Sequence, residues 1–293
     1  MNNSQAKRIL VTGSNGQLGS ELRDLASDYP DLEFDFVDQS DFSFTDRSAI
    51  TTNLNTLQPS FIINCAAYTA VDSAEVEVEL ADEINHKAVE VIAKWCAENS
   101  TRLIHISTDY VFDGTSRLPL TEAEPTNPIN VYGATKRDGE LRCMENCPDC
   151  VIIRTAWVYS SYGKNFVKTM IKLMNERSEL NVVNDQIGSP TYALDLATAI
   201  MSIVSSKDWV SGIYHYSNKG EISWYQFAVD IKELMDSDCT INGVTSNQYP
   251  TPAKRPNYSL LDKSKIKLTY SINIPPYKDS LKNCLAKIKS KYK

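Results

Sequence analysis

Arg8-Ile9-Leu10-Val11-Thr12-Gly13-Ser14-Asn15-Gly16-Gln17-Leu18-Gly19 is the stretch whose reading decides the fold. A short apolar run passes through three glycines spaced G-x-x-G-x-x-G and enters a helical pattern that continues to Ala26. A diphosphate needs bare backbone N–H groups at a helix N-terminus, where the aligned peptide dipoles supply positive potential, and glycine lets it approach. Three glycines alone say little. Between a first strand and a first helix they fit a dinucleotide-binding turn, with Gly13, Asn15, Gly16, Gln17 and Leu18 as candidate contacts.

The same alternation continues outward. Apolar runs at 34–37, 61–64, 103–107 and 151–154 alternate with helical patterns at 49–57, 74–99 and 132–144, and a break is expected near Glu83. Short strands separated by helices imply βαβ units and a parallel sheet, and strands buried on both faces read as continuous apolar runs. Right-handed crossovers then give a doubly wound sheet. Past Trp157 the rhythm loosens. Helical patterns recur at 166–175, 194–204 and 224–235 among loops rich in Pro, Gly, Asn and Ser, and 247–257 reads as a loop. The tail puts Leu281, Cys284, Leu285 and Ile288 on one helical face, with lysines near its end, where the helix dipole favours them and water solvates them. The expected architecture is α/β: a Rossmann-like doubly wound parallel sheet with a smaller α/β substrate domain. The division runs 1–160 plus about 193–210 for the dinucleotide unit, and about 161–192 and 211–293 for the substrate unit.

Composition limits the rest. The 293 residues are 42% hydrophobic and 23% charged, as in an ordinary globular protein, and show no internal repeat. A net charge of -7 with no basic face argues against nucleic acid, and an anionic ligand would need local cations. No apolar run approaches the ~20 residues of a membrane span. The polar opening shows no signal-peptide pattern, and seven cysteines scattered through apolar segments suit reduced thiols, so a cytoplasmic protein is expected. Cys143, Cys147 and Cys150 lie close together, but no second ligand pair accompanies them, and no metal site is expected. His105 sits in an apolar strand and reads as a core residue.

Four further motifs fall at strand ends. Asp38 follows the second strand, where an acid binds a ribose 2′-hydroxyl and favours NAD; no arginine follows to accept a 2′-phosphate, and NAD against NADP stays open. Asn64-Cys65-Ala66-Ala67-Tyr68 offers small residues against which a flat dinucleotide can lie. Ser107-Thr108-Asp109 ends the fourth strand. Tyr132-Gly133-Ala134-Thr135-Lys136 puts a phenol and an ammonium on one helical face, and the ammonium is expected to lower the phenol's pKa.

Together these residues resemble the extended short-chain dehydrogenases/reductases, and within them the dTDP-4-dehydrorhamnose reductase family. The narrower resemblance covers about 7–262 and rests on longer strings. These are Ala66-Ala67-Tyr68-Thr69-Ala70-Val71-Asp72-Ser73-Ala74-Glu75, Ser107-Thr108-Asp109-Tyr110-Val111-Phe112-Asp113-Gly114, Arg154-Thr155-Ala156-Trp157-Val158-Tyr159, Gly163-Lys164-Asn165-Phe166-Val167 and Asp185-Gln186-Ile187-Gly188-Ser189-Pro190-Thr191. The resemblance implies reduction of the C4 keto group of a dTDP-hexose by NADPH, with NADH as the alternative donor. It makes Tyr132 the proton donor, Lys136 the residue that tunes it and holds the nicotinamide ribose, and Thr108 a hydrogen-bond partner of the keto oxygen. It places Ser43, Phe44, Ala66, Ala67 and Tyr68 beside the cofactor. It places Thr69, Val71, Asp109, Trp157, Asn165, Gln186, Pro190 and Thr191 around the sugar, and Arg255 at the nucleotide diphosphate. Trp157 is expected to offer the sugar an apolar platform.

Ser43 departs from the acidic residue usual in the family, and Tyr258 interrupts Arg-Pro-x-Asn-Ser near Arg255. Two other functions compete: an epimerase or 4,6-dehydratase of the same superfamily, and a non-catalytic regulatory subunit. A dehydratase wants a second acid after Asp109, where Tyr110 stands, and a regulatory subunit has no need of Thr108, Tyr132 and Lys136. The resemblance implies a nucleotide-sugar substrate and leaves a homodimer open.

Overall fold

The computed structural model describes residues 7–291. The outermost residues of the two expected units, 1–6 and 292–293, lie outside the described residues. In chain order the first half contains β1 (Lys7–Thr12), α1 (Gln17–Leu25), β2 (Leu32–Val37), α2 (Arg47–Leu57), β3 (Phe61–Asn64), α3 (Val71–Ala74), α4 (Val78–Asp82), α5 (Ala88–Glu98), β4 (Arg102–Thr108), α6 (Val131–Asn146) and β5 (Val151–Thr155). The second half contains β6 (Val158–Tyr159), α7 (Phe166–Glu176), β7 (Glu179–Val183), β8 (Ile187–Gly188), β9 (Thr191–Tyr192), α8 (Ala193–Val204), β10 (Gly212–Tyr216), β11 (Ile222–Ser223), α9 (Trp224–Met235), β12 (Thr240–Val244), α10 (Ser264–Tyr270) and α11 (Tyr277–Lys291).

Six strands form one sheet in the order β10-β5-β4-β3-β1-β2, and every pairing is parallel. Side chains alternate across it. Ile9, Val11, Ile63, Ile104 and Ile153 join a core with Leu22 of α1 and with Leu196 and Ile200 of α8. Leu10, Ile62, Leu103 and Ile152 join the opposite core under α2 and α5. Strand order reverses between β1 and β3, which is where such sheets open a ligand crevice beyond their carboxyl ends. A third core, including Val167, Met170, Leu180, Phe227, Leu281 and Leu285, gathers α7, α9 and α11. The parallel pair β7–β12 borders it.

The break expected near Glu83 is present, and the structure differs from the sequence reading in two places. The stretch 74–99 is cut into α3, α4, one turn of π-helix at Glu83–Lys87 and α5. π turns are rare and frequent at functional sites. This one turns Asn85 inward, where its Oδ1 accepts from Tyr68 N at 2.9 Å, and its Nδ2 donates to Tyr68 O at 3.1 Å and Thr135 Oγ1 at 3.2 Å. Residues 212–216, assigned by the sequence division to the substrate unit, form the sixth sheet strand, and Ile266, Ile272 and Ile274 pack in the same core. β10 carries polar residues on a short strand, so no apolar run announces it. Finally, the tail lysines are not all solvated. Lys287 pairs with Glu21 and Asp24 of α1, each at 2.8 Å, and Lys291 donates to Ser161 Oγ.

Candidate active site

A cleft of about 870 Å³ opens along the carboxyl ends of the strands. It begins at the turn between β1 and α1. Gly13 has φ +63°, and a Cβ there would stand 2.8 Å from Ala66 Cα; one on Gly19 would stand 2.6 Å from Ser14 Cα. Only glycine lets the turn, the β3 end and α1 come this close. Gly16 caps α1 without any side-chain bond, so the first-turn N–H groups of Gln17 and Leu18 are left for an anion. A dinucleotide's diphosphate fits this cradle.

Beyond the turn the cleft wall passes Asp38, Phe44, Ala66 and Ala67. Asp38 accepts from Ser40 N at 2.8 Å and Ser40 Oγ at 2.7 Å, which holds its carboxyl below the usual range. Asn15 donates to the same carboxylate. Ser43 points to Thr45 Oγ1, while Thr45 lines the cleft. Tyr68 is turned to Glu77, its hydroxyl donating at 2.6 Å.

The end of the cleft that carries Thr108, Tyr132 and Lys136 is built by β4 and α6. Asn130 caps α6, accepting from Gly133 N at 2.7 Å and donating to Lys254 O at 2.8 Å. A Cβ on Gly133 would overlap Tyr110 O, so glycine is what lets α6 settle against the end of β4. Thr108, Asp109, Tyr132 and Lys136 all line the cleft. Thr108 Oγ1 donates to Asp109 Oδ1 at 3.1 Å and accepts from Tyr110 N at 3.2 Å. Asp109 is buried, its Oδ2 has no partner among the described residues, and burial pushes its carboxyl up to about 6.

Tyr132 corrects an expectation. Burial pushes its phenol up to about 12, and the Thr108 hydroxyl acts against that rise. Lys136 is not what governs it: the ammonium donates to Ile106 O at 2.6 Å, and burial lowers Lys136 to about 8. The phenol therefore stays protonated throughout the neutral range.

Beneath Lys136 a directed hydrogen-bond row crosses the sheet. Ala66 N donates to Thr12 Oγ1 at 3.3 Å, Thr12 Oγ1 to Asn64 Oδ1 at 2.6 Å, and Asn64 Nδ2 to His105 Nδ1 at 3.1 Å. The direction leaves the proton on His105 Nε2, which has no partner among the described residues. Burial and the nearby Lys136 hold this imidazole neutral.

Of the residues expected around a sugar, Thr69, Val71 and Trp157 line the cleft with Asp109. Asn165, Gln186, Pro190, Thr191 and Arg255 do not stand on its wall. Asn165 caps α7 and donates to Gln17 Oε1 at 2.9 Å, tying the 160–165 loop to the glycine turn. Gln186 donates to Ser246 Oγ at 3.0 Å. Pro190 and Thr191 are buried; Thr191 N donates to Trp157 O at 3.2 Å, and Thr155 Oγ1 donates to Thr191 Oγ1 at 3.2 Å. Arg255 closes a two-pronged pair with Asp72, at 3.0 and 2.7 Å. Its guanidinium is thus engaged by a carboxylate on α3, and the loop that carries it is tied down beside the cleft.

Cys65, from the small-residue motif after β3, lines the cleft as well, and so do Lys164 and Trp224, which the sequence did not mark as site residues. Lys164 had a signal, a lysine in the glycine-bearing string Gly163-Lys164-Asn165; with Lys136 it makes the cationic lining among the described residues. The seven cysteines are free thiols, and Cys96, Cys143, Cys147 and Cys150 are buried in one apolar core. Among the described residues no helix is long and apolar enough to cross a membrane.

The chain matches the RmlD substrate binding domain model over residues 7–290. A dTDP-4-dehydrorhamnose reductase of Sinorhizobium fredii is 39% identical over 93% of this chain and 95% of its own length. A crystal structure of a dTDP-4-dehydrorhamnose reductase from Clostridium acetobutylicum superposes with TM-score 0.93 at 39% identity, covering 96% of this chain and 99% of that one. A Bacillus anthracis dTDP-4-dehydrorhamnose reductase in complex with NADP gives TM-score 0.92 at 36% identity, over 97% of this chain and 100% of that one. On this Rossmann-like fold and this cleft, the chain belongs to the dTDP-4-dehydrorhamnose reductase family.

Proposed function

We infer that this chain reduces the C4 keto group of dTDP-4-dehydro-L-rhamnose with NADPH and releases dTDP-L-rhamnose. The observation that carries this reading is the meeting of Thr108, Tyr132 and Lys136 in one cleft that starts at the glycine turn. NADPH supplies the hydride when bound, and the chain's residues do the remainder. The glycine turn and the amides of Gln17 and Leu18 take the diphosphate. Lys136 holds the nicotinamide ribose. Thr108 orients the keto oxygen and offers a hydrogen bond to the charge that develops there. Tyr132 Oη gives that oxygen its proton, which the buried phenol carries throughout the neutral range. We further assign the sheet and its covering helices to cofactor binding, the elements around the third core to the sugar nucleotide, and the activity to the cytoplasm. Asp38 stands where a 2′-phosphate would meet a carboxylate, so NADH is the second donor to assay.

The test is oxidation of NADPH with dTDP-4-dehydro-L-rhamnose generated in place from its precursor, with NADH in parallel. Substrate-dependent oxidation yielding dTDP-L-rhamnose supports the reading. Folded, cofactor-binding protein that oxidises neither donor overturns it in favour of another nucleotide sugar or a regulatory role.

The pH dependence follows from Lys136. Its ammonium is lost above about pH 8, where the free enzyme would no longer offer a charge to the cofactor ribose. Because kcat/KM reports the free enzyme, kcat/KM for NADPH is expected to fall about tenfold per pH unit above that value. A profile flat to well above pH 9 would contradict the assignment.

A further inference from the structure

Trp157 has a backbone φ of +49°, a conformation that bulky side chains adopt only when their surroundings impose it. Two contacts impose it here. One indole face is stacked on Trp224, with ring centroids 3.8 Å apart and planes 14° from parallel. From another side Gly188 presses on the benzo ring, where a Cβ would stand 2.9 Å from Cζ2 and 3.0 Å from Cε2. The two contacts are joined to each other. β8 ends at Gly188 and pairs with β11, placing Ile222 opposite Gly188, and β11 runs straight into α9, whose first residue is Trp224. Ser223 caps that helix, accepting from Gln226 N at 3.1 Å. Phe166 backs Trp224 with ring centroids 4.6 Å apart.

Both tryptophans line the cleft. With one face stacked and its benzo ring pressed by Gly188, Trp157 does not present the open platform that its residue type suggests. It leaves to the cleft the part of the indole that Trp224 and Gly188 do not cover.

We propose that Trp224 is a positioning residue: with Gly188 it clamps Trp157 so that the uncovered part of the indole meets the sugar of the nucleotide-sugar substrate. The inference rests on the proposed reductase reading only for the identity of that sugar. Loss of the clamp lets Trp157 relax out of its strained backbone, so sugar recognition suffers and cofactor binding does not.

The experiment compares wild type, Trp224→Ala, Trp224→Phe and Gly188→Ala. Dissociation constants for dTDP-L-rhamnose and for NADP are measured by calorimetry, alongside far-UV circular dichroism, in which closely stacked indoles give an exciton couplet. Trp224→Ala is expected to weaken dTDP-L-rhamnose binding about tenfold, to abolish the couplet and to leave NADP binding within about twofold. Trp224→Phe should restore most sugar-nucleotide affinity without the couplet, because a ring again covers the indole face. Gly188→Ala, acting from the other side, should weaken the sugar nucleotide alone. Unchanged dTDP-L-rhamnose affinity in folded Trp224→Ala overturns the proposal, as does an equal loss of NADP affinity. Wild type that binds dTDP-L-rhamnose but does not turn over its keto precursor sinks the reductase reading and leaves the clamp intact.

Discussion

Tyr132→Phe is expected to lower kcat by about 10²–10⁴-fold while the dissociation constant for NADPH stays within about twofold. The substitution removes one oxygen from a half-buried ring and nearly keeps its volume, so the edge-on contact with Tyr110, ring centroids 5.6 Å apart, is retained. What disappears is the proton that balances the hydride at the keto oxygen. No nearby group replaces it easily. Lys136 donates to Ile106 O, and Asp109, with a carboxyl near 6, is mostly ionised at neutral pH. Single-turnover rates measured beside cofactor binding separate the cases. Full turnover in the variant would remove Tyr132 from the reaction. A parallel loss of NADPH affinity would make it a binding residue.

Arg154→Ala is expected to cost about 3–5 kcal/mol of folding stability, as for any buried ion pair that loses one partner. Arg154 on β5 meets Glu140 on α6 through two bonds, Nε to Oε1 at 2.8 Å and Nη2 to Oε2 at 2.6 Å, and both side chains are almost wholly buried. The guanidinium also lies over Phe112 at 5.1 Å. Removing it strands a carboxylate inside the protein one helical turn from Lys136. Exchanging both partners for apolar residues, Arg154→Met with Glu140→Leu, should recover most of the loss, because no charge is left unpaired. Urea unfolding of the three proteins measures both effects. A loss under about 1 kcal/mol in Arg154→Ala would mean that the pair contributes no more than a surface salt bridge.

How far the site could be read from the sequence depended on how local its signals were. The glycine turn, the strands beside it and the Tyr132–Lys136 pair are written within single elements, as apolar runs, spacings and periods. They stand in the structure where those patterns put them. The phenol's acidity was misjudged because Lys136 is visible one turn away, whereas burial is a property of the whole fold. Trp224 went unread because only the β8–β11 ladder brings it against Trp157, 67 positions earlier in the chain. Asn85 was hidden in a helical pattern whose break could be placed but whose inward turn could not. β10 escaped because a short strand with polar residues looks like loop, and Arg255 because nothing around it announces Asp72 as its partner.

The pairing of β10 with β5, and of α8 with α1, bears on the order in which this protein can be made. A ribosome that has delivered the chain through β5 has produced five of the six sheet strands and the whole glycine turn. It has not yet produced Leu196 and Ile200, or Ile266 and Ile274, which cover one face of those strands. Until they emerge, Ile9, Val11, Ile104 and Ile153 have only α1, through residues such as Leu18 and Leu22, to share that core. The first half therefore lacks part of one core layer and its edge strand until the later residues fold back over it.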